Sequence, residues 1–214
     1  MNGAGVLVVQ EAFGVTDHIR DVVRRFAAEG YAATAPDLYH GRTFPYDAGF
    51  DTVRPVMSAL TGEGILADVD AAIEELGLPP ERVAIVGFCM GGTVALYAGA
   101  MRALGAAVSF YGGGVTESRW PGVAPLVELA PGLRTPWLGL YGDDDKGIPV
   151  GQVEELRRAA ALAPVPTRLE RFAGAGHAFF NDARPASYDR AAAERAWPLV
   201  LEWLRLNLGT ATPG

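Results

Sequence analysis

Val83-Ala84-Ile85-Val86-Gly87-Phe88-Cys89-Met90-Gly91-Gly92 is the stretch on which the fold turns. Its first four residues form a run of apolar, mostly β-branched side chains, the pattern of a strand buried on both faces. Two glycines then bracket a cysteine, and a helical pattern follows from Gly91 to about Met101. Strand, tight turn and helix make the setting in which G-x-nucleophile-x-G forms an elbow. Such a turn forces its central residue toward strained dihedrals and crowds the flanking positions, where side chains would clash. The helix N-terminus points N–H groups at the thiol and favours its anion. Residues 83–101 carry no charge, which on length alone would suit a membrane span. Glycines at 87, 91, 92 and 99 and the change of pattern favour strand–turn–helix instead. The bland alternative for Cys89 is a buried free thiol in a core.

Outward from this segment the chain alternates strand and helix patterns. Residues 6–9 read as a buried strand, and Thr16 as the N-cap of a helix with Ile19, Val22, Val23 and Phe26 at helical spacing up to Gly30. A second strand is predicted over 31–35. Residues 37–62 read as an irregular segment lying over a pocket. A helix over 64–76 puts Ile65, Leu66, Val69, Ile73 and Leu76 on one stripe. Strands over 106–110, 137–140 and 167–172, and helices over 153–162 and 187–206, complete the order. Six strands alternating with helices predict an α/β fold: a mostly parallel six-stranded sheet with helices on both faces, a single domain over 1–214. Ligands in such sheets bind beyond the carboxyl ends of the strands. Chemistry is therefore sought in the loops after Val9, Val86, Phe110, Leu140 and Phe172.

Composition removes several function classes. A net charge of −7 without any Lys/Arg-rich run argues against nucleic acid as a partner. One cysteine excludes an internal disulfide and any zinc or iron–sulfur scheme that needs two thiolates. His18, His40 and His177 show no metal-ligand spacing, so neither metal nor cofactor is expected. With no basic n-region, and an apolar run at 6–9 too short for a signal peptide, a cytoplasmic protein without a membrane partner is expected.

Two further loops carry chemistry-bearing side chains. Ala173-Gly174-Ala175-Gly176-His177 follows the last strand, where a general base sits in hydrolases with this strand order. Asp143, Asp144 and Asp145 follow the strand before it, and any one could orient that imidazole. Spacing alone does not choose among the three. The chain order would be nucleophile, acid, base, with the N–H groups of Ala12 and Met90 as an oxyanion hole.

Taken together, these segments resemble the dienelactone hydrolase family, also called carboxymethylenebutenolidases. The likeness runs through Gln10-Glu11-Ala12-Phe13-Gly14-Val15, Ala35-Pro36-Asp37-Leu38-Tyr39, Gly87 to Gly92, Gly142 to Pro149 and Gly176-His177-Ala178-Phe179. It implies an α/β-hydrolase fold, trimmed of the hairpin that usually precedes the first parallel strand. It implies a cysteine-dependent hydrolase of a small ester or lactone, working through a thioester on Cys89 with His177 and Asp145. The family pattern around Gly142, Ile148 and Pro149 selects Asp145. The resemblance gives Glu11 the role of holding the resting thiol protonated. The family's two carboxylate-binding arginines are not matched: Asn181 stands at one position, and the other segment is shortened, leaving Arg54 with Arg184 and Arg42 as substitutes. Phe13, Tyr39 and Tyr111 are the expected lining of a small pocket, and a monomer or weak homodimer is expected. Rival readings are a redox-responsive or ligand-binding protein that uses the elbow thiol without turnover, and a thioesterase or amidase with the same triad.

Overall fold

In the computed structural model, which describes residues 3–208, the six strands are β1 (Gly5–Val9), β2 (Ala32–Thr34), β3 (Val83–Phe88), β4 (Ala106–Phe110), β5 (Trp137–Gly142) and β6 (Thr167–Phe172). They form one sheet in the order β2-β1-β3-β4-β5-β6, with every neighbouring pair parallel. All residues of β1, β3, β4 and β5 are buried, as continuous apolar runs in a sheet covered on both faces should be. At the edge, β6 keeps Leu169 and Phe172 inside and spends three of its other four positions on Arg168, Glu170 and Arg171, which blunts the edge. The first two and last six residues of the predicted 1–214 domain lie outside the described residues.

Helices α1 (Asp17–Ala28) and α7 (Arg190–Asn207) cover one face, with the Phe26 and Trp197 rings 4.7 Å apart. The other face is covered by α3 (Gly62–Leu76), α4 (Met90–Met101) and α6 (Val150–Ala160). Every residue of α4 from Met90 to Ala100 is buried, so the uncharged stretch is a strand and a core helix. None of the described helices is long and apolar enough to cross a membrane.

Several boundaries differ from the sequence reading, each for a local reason. The segment at 37–62 holds a 3₁₀ turn (Tyr46–Ala48) and helix α2 (Phe50–Ser58). Pro55 inside α2 hid the helix, because proline removes the N–H that would bond to Asp51. Burial of Val53 and Met57, and a bond from Trp120 Nε1 to the Met57 carbonyl (2.8 Å), hold it in place. Helix α3 begins at Gly62 because the Thr61 hydroxyl caps it, accepting the Gly64 N–H at 3.1 Å. Helix α7 begins at Arg190 rather than 187, with Asp189 accepting the Ala192 N–H at 3.0 Å. A four-residue helix, α5 (Leu126–Leu129), is too short to leave a periodic signal.

The elbow is the tightest point. A Cβ on Gly87 would lie 1.8 Å from the Gly91 carbonyl oxygen, and one on Gly91 would lie 2.4 Å from the Val9 oxygen. Gly87→Ala is therefore expected to cost more than about 3 kcal/mol in urea unfolding. Gly132→Ala, where a Cβ meets nothing within 4 Å, should leave the midpoint almost unmoved.

Candidate active site

Cys89 sits at the elbow with φ 54° and ψ −114°, a left-handed backbone for a residue with a side chain. It is held there by its neighbours: its N–H donates to the Phe110 carbonyl (3.0 Å), and its own carbonyl accepts the Gly92 N–H (2.9 Å). Met90 opens α4, so its N–H belongs to the first turn that lacks intrahelical acceptors. The Tyr39 hydroxyl donates to Met90 Sδ at 3.3 Å beneath the turn.

His177 reaches Cys89 from the loop after β6, and a hydrogen bond joins their side chains. On its other side, His177 Nδ1 lies 2.6 Å from Asp145 Oδ2. Asp145 is buried, and its Oδ1 accepts the Gly147 N–H at 2.8 Å, so both carboxylate oxygens are engaged. The other two aspartates go elsewhere: Asp143 accepts from Arg171 Nε at 2.7 Å, and Asp144 is exposed on the cleft wall. Burial alone would lower the imidazole pKa of His177. The charge interaction with Cys89, the hydrogen bonds to Asp145 and Cys89 and the Asp145 charge outweigh it and raise the pKa to about 10. The Tyr111 ring packs 5.1 Å from the imidazole.

Glu11 lies at the end of β1 and is buried, yet the thiol is not its partner. Its Oε2 accepts Asn181 Nδ2 at 2.7 Å, while Oε1 has no partner. The bond recorded for this carboxylate is thus to the amide at position 181, and none to the Cys89 thiol appears among the described residues. Burial pushes the Glu11 carboxyl up, against the opposing pull of the Arg184 charge, the Asn181 bond, the His177 charge and the Tyr46 hydroxyl.

The side chains expected to bind substrate are placed unevenly. Arg54 is exposed on α2, paired with Asp51 at 2.9 Å and lying over the Phe50 ring, and does not line the cleft. Arg184 lies over the Phe13 and Tyr46 rings, 5.6 and 5.4 Å from their centroids, where it faces Glu11 rather than the cleft. Arg42 is exposed and likewise does not line it. Phe13, Tyr39 and Tyr111 are buried, and none of them lines the cleft as expected. His18 is buried in α1, with Nδ1 3.1 Å from Asp182.

A cleft of about 1020 Å³ opens over Cys89 and His177, larger than the small pocket expected. Phe50 and Met57 of α2, within the segment expected to lie over a pocket, form one wall, and residues 186–191, which the sequence reading did not assign to the site, form another. Arg119, Lys146 and Arg190 also line it, and among the described residues none of these three has an ion-pair partner. Arg119 lies across Gly113 and Gly114, where a Cβ on Gly113 would meet its guanidinium at 2.3 Å. The glycine run 112–114 after β4 is the sequence signal that could have pointed to it.

Comparison with known proteins identifies the family. The model of the "Dienelactone hydrolase family" matches residues 2–208. A protein of Escherichia coli (strain K12), provisionally named carboxymethylenebutenolidase, is 40% identical over 208 residues, covering 94% of this chain and 76% of its own. A Bradyrhizobium protein, provisionally named 2-oxo-3-(5-oxofuran-2-ylidene)propanoate lactonase, is 32% identical over 209 residues, 95% of this chain and 84% of its own. A crystal structure from Klebsiella pneumoniae, provisionally titled a dienelactone hydrolase, superposes with a TM-score of 0.84 at 38% identity, covering 93% of this chain and 85% of that one.

The charge balance around His177 can be read directly. Imidazole NMR should show His177 titrating near pH 10 in the wild-type protein. In Cys89→Ala the midpoint should fall, because the largest cause raising it has been removed while burial still lowers it. An unchanged midpoint would contradict the Cys89–His177 pairing.

Proposed function

The chain belongs to the dienelactone hydrolase family, whose members hydrolyse esters or lactones, and from that premise we propose that Cys89, His177 and Asp145 act as a triad on a small carboxylic ester or lactone. The observation that carries the reading is the line of contacts from the Cys89 sulfur to His177 and on to the buried Asp145 carboxylate.

The steps follow from the charges. The Cys89 thiolate adds to the substrate carbonyl, and the N–H groups of Ala12 and Met90 receive the oxygen that becomes negative. Collapse expels the alcohol or enol oxygen, to which the His177 imidazolium gives its proton, and a thioester remains. The sulfur is then uncharged, so the largest influence holding the His177 proton disappears. His177 can now take a proton from water, which attacks the thioester. Departure of the acid returns thiolate and imidazolium to their starting state. Asp145 keeps the imidazole in one orientation throughout.

The nucleophile limits the substrate. A thiol, with a pKa of about 8.5, leaves the tetrahedral intermediate more readily than an alkoxide does, so attack is fruitful when the other leaving group is acidic or well protonated. Enol lactones and aryl esters meet that condition. Arg119, Lys146 and Arg190 favour a substrate that also bears a carboxylate. The lone thiol fits a reducing compartment, and we place the enzyme in the cytoplasm as a monomer or weak homodimer.

Cys89→Ala should lower p-nitrophenyl acetate turnover by roughly 10³-fold or more with an unchanged melting temperature. Turnover at the wild-type rate would show that another group is the nucleophile. For recognition, Arg119→Gln should reduce the kcat/KM preference for a carboxylated over a neutral enol lactone by about tenfold. An unaltered ratio would remove Arg119 from the binding site.

A further inference from the structure

We propose that His18 is a positioning residue that holds the loop carrying His177 against α1, through a hydrogen bond from its Nδ1 to Asp182. The inference rests on the triad reading above and names what sets the distance between its nucleophile and its base.

Helix α1 carries His18, Asp21 and Arg25 at helical spacing, on one face. That face meets Asp182, which follows His177 closely in the same loop. His18 Nδ1 lies 3.1 Å from Asp182 Oδ1; Arg25 Nη2 donates to Asp182 Oδ2, and Arg25 Nε donates to Asp21 at 2.7 Å. Burial lowers the His18 pKa against the pull of Asp182 and Asp21, and Arg25 adds to the lowering, so the ring is neutral near pH 7. Burial would raise the Asp182 pKa, but the bonds and charges of Arg25 and His18 bring it below its usual range. An ionised carboxylate only accepts, so Nδ1 carries the ring's proton. Nε2 is then a lone pair, buried and without a partner. An apolar side chain would fill such a place without that penalty. What it could not do is hold Asp182.

The ring also stands between the two halves of the site. It packs edge-on to Phe88, with 6.2 Å between centroids, and Phe88 directly precedes Cys89. Phe180, from the His177 loop, stacks on the same Phe88 ring at 5.5 Å. Between His177 and Asp182 the chain has little freedom. Ala178 has φ 62°, Phe179 and Phe180 are buried, and the Asn181 N–H donates to the Ala178 carbonyl at 2.9 Å. A shift of Asp182 is therefore passed to the imidazole, while the elbow keeps the sulfur where it is.

The test compares two amides. An asparagine nitrogen is bonded to Cγ, as Nδ1 is, whereas a glutamine nitrogen lies one atom further, near the place of Nε2. His18→Leu should lower kcat for p-nitrophenyl acetate about tenfold, with KM changed by less than about twofold. It should also move the His177 imidazole midpoint down from about 10 by about one unit, as the pairing with Cys89 loosens. His18→Asn should bring both readouts back toward wild type, and His18→Gln should not. The double variant His18→Leu/Asp182→Ala should lose no more than Asp182→Ala alone, because His18 acts through Asp182. A merely structural His18 would lower the melting temperature and leave both readouts unmoved in the folded protein. Wild-type kcat and midpoint in His18→Leu, no recovery in His18→Asn, equal recovery in His18→Gln, or additive losses in the double variant each overturn the proposal. Should His18→Leu not fold, Asp182→Ala, at a side chain partly open to solvent, decides alone: unchanged kcat and midpoint overturn it. Failure of the triad reading is seen separately, as turnover surviving in Cys89→Ala.

Discussion

The close approach of four backbone segments at the elbow is the constraint on which the site depends. Between Gly87 and Gly91 there is no room for a methyl group, and Gly91 lies against the Val9 and Gln10 carbonyls while Gly92 lies against Phe110. Strands β1, β3 and β4 therefore converge on the first turn of α4. That convergence places the end of β1, with Glu11 and Ala12, next to the cysteine, and it brings Tyr111 in from the other side. These residues follow three different strands, yet the missing side chains fix them together.

The second organising feature is electrostatic. Two buried carboxylates flank one imidazole, and three of their four oxygen atoms have a hydrogen-bond partner. Asp145 uses one oxygen on the Gly147 N–H and the other on His177. Glu11 uses one on Asn181 and stands near the Arg184 charge. An unpaired carboxylate in such a place would cost several kcal/mol and would compete for the thiol proton. A neutral amide and a cation held over two rings lessen that cost for Glu11, whose other oxygen stays unpartnered.

How much was legible in the sequence follows from the physics of each element. Buried parallel strands leave continuous apolar runs, and these gave strand positions within a residue or two; the elbow glycines are legible because nothing else fits. Helix α2 was not, since Pro55 breaks the pattern and only Val53 and Met57 face inward. At the site, Cys89, His177 and the aspartate run could be nominated because loop position after a strand restricts the choice. The cleft-lining Arg119 was not nominated: the glycine run 112–114 hints at a trough, but the arginine's place over Gly113 and Gly114 is set only once residues 112–119 fold back. Asn181 was read as a lost arginine because its partner, 170 residues away in the chain, is visible only in three dimensions.

Three of the four non-glycine residues with positive φ, among those described, belong to the site: Cys89 at 54°, Tyr111 at 40° and Ala178 at 62°. Each such conformation costs on the order of 1–3 kcal/mol, which the surrounding structure must outweigh. The compensation is local. Cys89 and Tyr111 each donate an N–H to the neighbouring strand or its end, to Phe110 and Leu140, and Ala178 accepts from Asn181. These are bonds of the resting protein, made without substrate. A site whose strain is already met in this way is arranged before binding, so on the proposed function substrate energy need not be spent on bringing Cys89 and His177 together. What binding must supply instead is the correct seating of the ester in a wide cleft, and there the unpaired cations, rather than a close-fitting apolar wall, are the features able to orient it.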